Sequence, residues 1–212
     1  MPIGATVRRL LGPFERPVAD AYRAFFVDLD SQVRQLHDWV PDARSILEIG
    51  CGEGAVAQKL AALYPDATIT GIDISPKAGR LFTGDGDRVK FACVTAGDFA
   101  KSHAGAFDLI LTCDVLHHVP WDQHRALLAD ARAMLRPGGT FVLKEWELIP
   151  NVAHKLCEFS DRVLTGDDVR FGQHSYFHDL LEGSFGAGSV QASARIKPWP
   201  NNLIFHCRSE AA

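Results

Sequence analysis

Ile46-Leu-Glu-Ile-Gly-Cys-Gly-Glu-Gly54 is the stretch that decides the fold, and Gly71-Ile-Asp-Ile-Ser75 completes it. The first stretch predicts a short apolar strand that runs into a glycine turn, and apolar residues then recur at helical spacing over 54–64. A second predicted strand, at 67–73, ends in Asp73. This order of strand, glycine turn, helix, strand and acid is typical of α/β proteins that hold a nucleoside, because glycines admit the ligand and the acid accepts from ribose hydroxyls. The chain is therefore predicted to bind an adenosine-like cofactor.

The charges in the turn narrow the choice of cofactor. The glycine spacing is G-x-G-x-G, whereas a dinucleotide site uses G-x-G-x-x-G to seat its pyrophosphate on a helix N-terminus. Glu48 precedes the first glycine and Glu53 lies inside the loop. Two carboxylates repel a pyrophosphate but attract a ligand that carries an ammonium and a sulfonium. The turn therefore favours S-adenosylmethionine over NAD, and it argues against a nicotinamide-dependent oxidoreductase.

Later segments carry a resemblance to a known family, in the family's order. The matching segments are Leu47–Gly54, Gly71–Ile74, Gly97-Asp-Phe99, Phe107-Asp-Leu-Ile-Leu-Thr-Cys-Asp-Val-Leu-His-His-Val-Pro120 and Leu135-Arg-Pro-Gly-Gly-Thr-Phe-Val-Leu143. With them, the chain resembles the class I S-adenosylmethionine-dependent methyltransferases over about residues 45–145. The resemblance implies an α/β fold with a Rossmann-like, doubly wound, mostly parallel seven-stranded sheet, an antiparallel last strand and a helical N-terminal lid.

A single methyltransferase domain is predicted over the whole chain, 1–212. Residues 1–40 would form the helical lid, 41–145 the cofactor-binding core, and 146–212 an insertion on the substrate side followed by a closing hairpin. The elements predicted from local patterns include one helix over 17–40, a short helix at Arg80 and Leu81, a tight turn at Arg136-Pro-Gly-Gly139, a strand at 140–146, and hairpin strands at 190–196 and 203–207.

The resemblance also implies a role for each residue around the cofactor. The glycines would bring the backbone under its methionine part, Glu48 would lie near its amino group, and Asp73 would accept from both ribose hydroxyls. Asp98 would accept a hydrogen bond from the adenine amino group. Local alternatives stay open, since Glu48 also suits the loop's own amides, Asp73 a helix cap, and Asp98 a turn. The full predicted set is Glu48, Gly50, Cys51, Gly52, Gly54, Asp73, Ile74, Asp98, Phe99 and Cys113.

Composition argues against several other classes of protein. The 212 residues are 47% apolar and 23% charged, which is ordinary for a globular domain. The net charge is −4 and there is no basic block. Methyltransferases that act on exocyclic amines of nucleic-acid bases usually carry Asn-Pro-Pro-Tyr after the fourth strand, and this chain does not, so nucleic acid is not an expected partner. No apolar run suits a membrane span or a signal peptide, and five scattered cysteines suit a reducing compartment. We expect a cytoplasmic monomer or homodimer that does not bind membranes.

His117 and His118 follow the predicted fourth strand, at the edge where ligands bind in this architecture. Methyl transfer from a sulfonium needs an aligned nucleophile and removal of its proton, and a neutral imidazole suits that task for a hydroxyl. Adjacent residues cannot both face the ligand, so one of them at most is predicted to be the base, with packing as the alternative. His154, His174 and Glu145 are further candidates.

No metal site is predicted. Histidines together with Asp114, Asp167 and Asp168 are the ligand types that hold a divalent ion in some phenol and sugar O-methyltransferases, but no ligand spacing supports such a site here.

The predicted function is transfer of a methyl group from S-adenosylmethionine to a small molecule, with a phenol or sugar hydroxyl as the favoured acceptor and a histidine as base. The alternatives are an amine or carbon acceptor on a small metabolite, or a non-catalytic cofactor-binding subunit that activates another methyltransferase.

Overall fold

A seven-stranded sheet is the centre of the computed structural model, which describes residues 14–164 and 169–208. Its strands are β1 (Ser45–Ile49), β2 (Thr68–Asp73), β3 (Val89–Cys93), β4 (Phe107–Cys113), β5 (Leu135–Trp146), β6 (Val190–Arg195) and β7 (Asn202–Arg208). The order across the sheet is β3-β2-β1-β4-β5-β7-β6, and β7 runs antiparallel to both of its neighbours. The other strands are parallel, so the predicted doubly wound sheet with an antiparallel last strand is confirmed.

Helices cover both faces of the sheet. They are α1 (Glu15–Phe26), α2 (Leu29–Trp39), α3 (Ala55–Leu63), α4 (Ala96–Ala100), α5 (His124–Met134), α6 (Val152–Leu164) and α7 (His174–Phe185). One core lies under α4, α5 and α7, and the other lies under α2 and α3. Successive residues of β1 point into opposite cores, with Leu47 in the first and Ile46 in the second. A strand buried on both faces explains the nearly continuous apolar run of this segment.

The strand order places the ligand site. β1 pairs with β2 on one side and with β4 on the other, so the order reverses there. In open parallel sheets, ligands bind beyond the carboxyl ends of the strands at such a reversal. The glycine turn follows Ile49 at the end of β1, and the His117–His118 segment follows Cys113 at the end of β4. The two segments that the sequence singles out therefore meet at one edge.

The single helix predicted over 17–40 is wrong, because the chain breaks into α1 and α2 at Val27 and Asp28. The Asp28 side chain accepts from the Ser31 amide and caps α2, and an N-cap residue does not itself have helical geometry. The Val27 backbone pairs with Pro198 instead of continuing the helix. Among residues 14–164 and 169–208, no helix combines the length and the apolar character needed to cross a membrane.

Two other local predictions need correction. The short helix expected at Arg80 and Leu81 is a series of turns. The tight turn at 136–139 lies inside β5, because the register passes from Phe107 opposite Leu135 directly to Leu109 opposite Thr140. The four residues between therefore bulge out of the ladder, which a local turn signal cannot distinguish from a turn that precedes a strand.

Truncation of Phe141 should show how much the first core stabilises the fold. The Phe141 ring is fully buried and stacks on Phe185 with 4.8 Å between ring centroids. We expect Phe141→Ala to lower the free energy of unfolding in urea by about 3–5 kcal/mol, because it removes buried area and leaves a cavity. Phe159→Ala is the control, since that ring on α6 is 67% exposed, and it should change stability by less than about 0.5 kcal/mol. Equal losses in both variants would contradict this account of the core.

Candidate active site

Backbone hydrogen bonds shape the glycine turn, and the Val115 side chain leaves no room for a side chain at its first position. The amides of Gly50 and Cys51 donate to the Ile72 carbonyl at 2.8 and 3.1 Å, which ties the turn to β2. Gly50 has a φ of +76°, and a Cβ atom there would lie 2.3 Å from Cγ2 of Val115. Glycine is therefore required for both conformation and space. At Gly52, by contrast, no atom lies within 4 Å of the position that a Cβ would take, so the backbone there is open.

Asp73 closes the turn from the end of β2. Its Oδ2 accepts from the Gly52 amide at 2.8 Å, and its Oδ1 accepts from the Ser75 amide at 2.7 Å. The residues after Ser75 form turns rather than a helix, so the alternative of a helix cap is wrong. Each carboxylate oxygen has two lone pairs, so both oxygens retain acceptor capacity for ribose hydroxyls. The ribose role stays a prediction.

Glu48 is a buried acid beside this turn. It is 2% exposed, and its Oε2 has no hydrogen-bond partner among the described residues. Burial raises the pKa of Glu48 to about 8; a hydrogen bond from the Ala57 backbone opposes this rise, and the nearby Asp73 carboxylate adds to it. A buried acceptor without a partner is costly unless a ligand satisfies it. An ammonium group at Oε2 would supply both a donor and a positive charge.

The predicted adenine end is less enclosed than the turn. Ile74 is 79% exposed, and Asp98 lies in the first turn of α4, where its amide donates to the Thr95 hydroxyl that caps this helix. The carboxylate of Asp98 accepts from Lys101, which lowers its pKa. The Phe99 ring stacks on His103 with 3.7 Å between centroids. Local partners therefore occupy Asp98 and Phe99, and their contacts with adenine stay predictions.

His117 lies in a buried pair with Glu145 at the end of β5. Its Nδ1 donates to Oε2 of Glu145 at 2.8 Å, and the other carboxylate oxygen accepts from the amides of Val115 and Leu116 at 2.8 and 2.6 Å. Burial alone lowers the pKa of the imidazole, but Glu145, with Asp114 and Asp161, outweighs burial, and the pKa of His117 is raised.

The pKa shift of Glu145 agrees with that of His117. Burial alone would raise the pKa of the carboxyl group, but the charge and hydrogen bond of His117 and the two amides outweigh it, and the pKa of Glu145 is lowered. A raised pKa of His117 and a lowered pKa of Glu145 are the two shifts that an ion pair between these groups produces. The carboxylate therefore orients the imidazole and stabilises its protonated form, and Nε2 is left facing Asp161 on α6 at 3.8 Å.

The remaining histidines lie in different surroundings. The His118 ring is 4.2 Å from that of His117, centroid to centroid. Nδ1 of His154 accepts from the Trp146 indole at 3.1 Å, and its ring meets the edge of Phe171, which also stacks on His117. The ring of His174 packs against Phe205 of β7. Of the candidate bases, His117 has the fully buried Glu145 carboxylate as its ring partner, and a ring nitrogen of His118 lies within 4.8 Å of a carboxylate oxygen of Asp161.

The structure adds polar neighbours that sequence patterns missed. Nζ of Lys144, a buried residue of β5, donates to both carboxylate oxygens of Asp114, at 2.7 and 2.5 Å. Gln32 of α2 donates to the Cys113 sulfur at 3.2 Å. Asp161 comes from the insertion helix α6, whose rotation about its axis no local pattern predicts. The alternation of β5 was the one signal available for Lys144, since it places that residue on a buried face.

Groups able to ligate metals lie close together in this cluster. Ligand-type atoms of His117, His118 and Asp161 lie within 4.8 Å of one another, and so do those of Asp114, His117 and Glu145. The predicted absence of a metal stays a prediction, and Asp167 and Asp168 lie outside the described residues.

Comparison with known proteins gives the same class as this geometry. A family model described as a methyltransferase domain matches residues 46–139. A ubiquinone biosynthesis O-methyltransferase of Xanthomonas axonopodis pv. citri is 31% identical over 185 residues, which are 80% of this chain and 74% of that protein. That of Thiobacillus denitrificans is 34% identical over 128 residues, and there the match spans about half the length of the relative, 53%.

Solved structures share the fold. The 1,6-didemethyltoxoflavin-N1-methyltransferase of Burkholderia thailandensis, with bound 1,6-didemethyltoxoflavin and S-adenosylhomocysteine, superposes with a TM-score of 0.69 at 20% identity, over 97% of this chain and 88% of that one. The mitomycin 7-O-methyltransferase also gives 0.69 at 22% identity, over 92% and 58%. The fold and site thus define a nucleoside-binding α/β protein. With the relatives above, the chain belongs to the class I S-adenosylmethionine-dependent methyltransferases.

The residues present suit the family's cofactor. The open backbone at Gly52, the Oε2 of Glu48 without a partner among the described residues and the remaining acceptor capacity of Asp73 match a ligand that carries an ammonium group and ribose hydroxyls. When bound, S-adenosylmethionine supplies a methyl group on a positively charged sulfur. Glu48 and the turn would hold its methionine part, and Asp73 would hold the ribose.

Replacement of Glu48 should alter the pH dependence of stability. Because the folded-state pKa of Glu48 lies above its unfolded value, its contribution is fully present below about pH 4.5 and is lost as the pH rises through about 8. Without ligand, Glu48→Gln should therefore match the wild type near pH 4.5 and be more stable at pH 9, by a margin on the order of a few kcal/mol. Urea unfolding at several pH values measures this margin. Glu53→Gln, in the same loop, is the control and should show no comparable gain; a margin for Glu48→Gln that does not change with pH would refute the prediction.

Proposed function

We propose that this protein transfers the methyl group of S-adenosylmethionine to a hydroxyl group of a small molecule, with a phenol as the favoured acceptor and His117 as the general base. The observation that carries the proposal is the buried His117–Glu145 pair at the carboxyl edge of the sheet, beside the cofactor turn. An imidazole oriented by a carboxylate is an arrangement that removes a proton from a hydroxyl once the ring is in its neutral form.

The contacts of the pair support His117 over His118 as the base. Glu145 uses one carboxylate oxygen on two backbone amides and the other on Nδ1 of His117, so the ring is fixed with Nε2 away from β5. A base must be held in hydrogen-bonding geometry with the proton that it removes. In this reaction, Nε2 accepts the hydroxyl proton as the substrate oxygen attacks the methyl carbon, and Glu145 stabilises the imidazolium that forms.

The relatives support oxygen as the acceptor atom. The curated relatives of Xanthomonas axonopodis and Thiobacillus denitrificans are both named O-methyltransferases. A hydroxyl oxygen must lose its proton during methyl transfer, whereas a neutral amine attacks through its own lone pair. An oriented base therefore assists methylation of a hydroxyl, whereas methylation of a neutral amine needs little help from a base.

Methyl transfer from labelled S-adenosylmethionine to catechol, with 4-hydroxybenzoate, glucose and aniline as parallel acceptors, tests the proposal. The expected product is a methyl ether of a phenol. Methylated aniline without any ether would contradict the oxygen acceptor, and a lack of cofactor binding in calorimetry would contradict the activity itself.

Single replacements should then separate the two histidines. His117→Gln is expected to lower kcat for the accepted phenol by about 10²–10⁴-fold, because the base is lost. The dissociation constant of S-adenosylhomocysteine should change little, since the imidazole has no assigned contact with the cofactor. His118→Gln is the matched control and should retain most of the turnover; a larger loss in His118→Gln than in His117→Gln would reverse the assignment.

The pH profile should report the influence of Glu145. The base form of His117 is present above its raised pKa, so kcat/KM should increase with pH along a limb whose midpoint lies above the ordinary histidine value. Glu145→Gln removes the negative charge that favours the imidazolium, and this limb should move down by about one pH unit or more, together with a lower maximal rate. An unmoved limb would show that Glu145 does not act on the base. Glu147→Gln, which replaces a nearby buried carboxylate paired with Arg195, is the control.

A further inference from the structure

A second buried histidine binds the turn that carries His117. His124, the first residue of α5, is 1% exposed. Its Nε2 lies 2.8 Å from the Leu116 carbonyl oxygen and 2.9 Å from that of Val119. Carbonyl oxygens only accept, so Nε2 carries the proton and donates to both. These two carbonyls flank the segment of chain that holds His117 and His118.

The opposite side of the His124 ring is fixed by a tyrosine. Its Nδ1 lies 2.7 Å from the hydroxyl of Tyr176 on α7, so in the neutral ring this nitrogen accepts from the phenol. The Tyr176 ring stacks on Trp121 with 4.3 Å between centroids. The two carbonyls fix the tautomer, and the Tyr176 hydroxyl satisfies the remaining ring nitrogen and holds the ring from its other side. We call the two residues the His124–Tyr176 brace.

The brace complements the hold that Glu145 has on the same segment. Glu145 accepts from the amides of Val115 and Leu116, whereas His124 donates to the carbonyls of Leu116 and Val119. The segment over 115–119 is therefore bound at its amides by a residue of β5 and at its carbonyls by a residue of α5. Backbone hydrogen bonds also fix the segment, since the His118 amide donates to the Val115 carbonyl and the Arg170 amide donates to the His117 carbonyl. The holds from Glu145 and His124 add side-chain restraints from two different elements.

We propose that His124 is a positioning residue for methyl transfer, which acts through the backbone of residues 116–119 to keep the His117 ring on Glu145, and that the Tyr176 hydroxyl holds the His124 ring in place for this task. The proposal rests on the proposed function of His117. The brace acts on His117 through the backbone carbonyls of Leu116 and Val119. Its effect is the alignment of the base, to which rates are sensitive because a displacement of about 1 Å can cost about 100-fold.

Four variants test the brace. His124→Phe keeps the ring shape and loses the donor, His124→Gln keeps an amide donor, and Tyr176→Phe removes only the hydroxyl. His206→Phe is the control, because His206 is a partly buried ring on β7 that stacks on Trp39. Two measurements are made: kcat and KM with catechol, and the ring nitrogen resonances of ¹⁵N-labelled His117 as a function of pH. The ionisable groups that face His117 are Glu145, Asp114, Asp161 and His118, and none of them is altered in these variants.

His124→Phe is expected to lower kcat by about 10- to 100-fold with KM for S-adenosylmethionine within about twofold, and His124→Gln should recover most of the loss. The resonances of His117 should shift in His124→Phe, and its titration midpoint should move towards the ordinary histidine value, because the contact with Glu145 loosens. Tyr176→Phe should shift them in the same direction by a smaller amount. His206→Phe should leave both measurements as in the wild type.

Unmoved His117 resonances in both His124→Phe and Tyr176→Phe would overturn the proposal, as would a loss of kcat that follows thermal stability alone and that His124→Gln does not recover. If His124→Phe does not fold, Tyr176→Phe decides by the resonances alone. If the wild type methylates no phenol, the proposed function fails, whereas the resonances still report whether the brace positions His117.

Discussion

The site depends on the hydrogen bonds that the carboxylate of Glu145 accepts. It lies at the end of β5, fully buried, and it accepts from two backbone amides of the segment after β4 as well as from the ring of His117. A buried carboxylate needs such partners, because its charge is otherwise too costly in the protein interior. The same contacts that make the acid tolerable therefore also join two strand ends and orient the proposed base.

A second buried acid serves the other half of the site in a different way. Glu145 has its partners within the chain, whereas Glu48 has an oxygen with none among the described residues, and burial raises its pKa to about 8. The first carboxylate is thus used by the protein, and the second is available to a ligand that brings a positive charge. This difference suits a methyltransferase, in which the cofactor is a cation and the base must already be in place before the acceptor enters.

Local sequence patterns predicted those features that depend on local geometry. The strands, the glycine turn and the antiparallel hairpin follow from residue periodicity and from glycine conformations, and they are confirmed. The errors came where a distant contact competes with a local preference. Residues 17–40 have uniform helical spacing, but Asp28 caps a new helix and Val27 pairs with Pro198 far along the chain. Residues 136–139 have the composition of a turn, but pairing of β5 with β4 makes them a bulge.

The sequence by itself determined the class of fold, the edge of the sheet at which ligands bind and the positive character of the cofactor, because each follows from the order and charge of short segments. It also named His117, His118 and Glu145, but without a reason to choose among them. Only the tertiary structure decided that Glu145 binds the ring of His117, that His124 binds the carbonyls around it, and that Asp161 lies opposite. These groups come from β5, α5 and α6, and their side chains meet only because the packing of those elements sets the direction of each one.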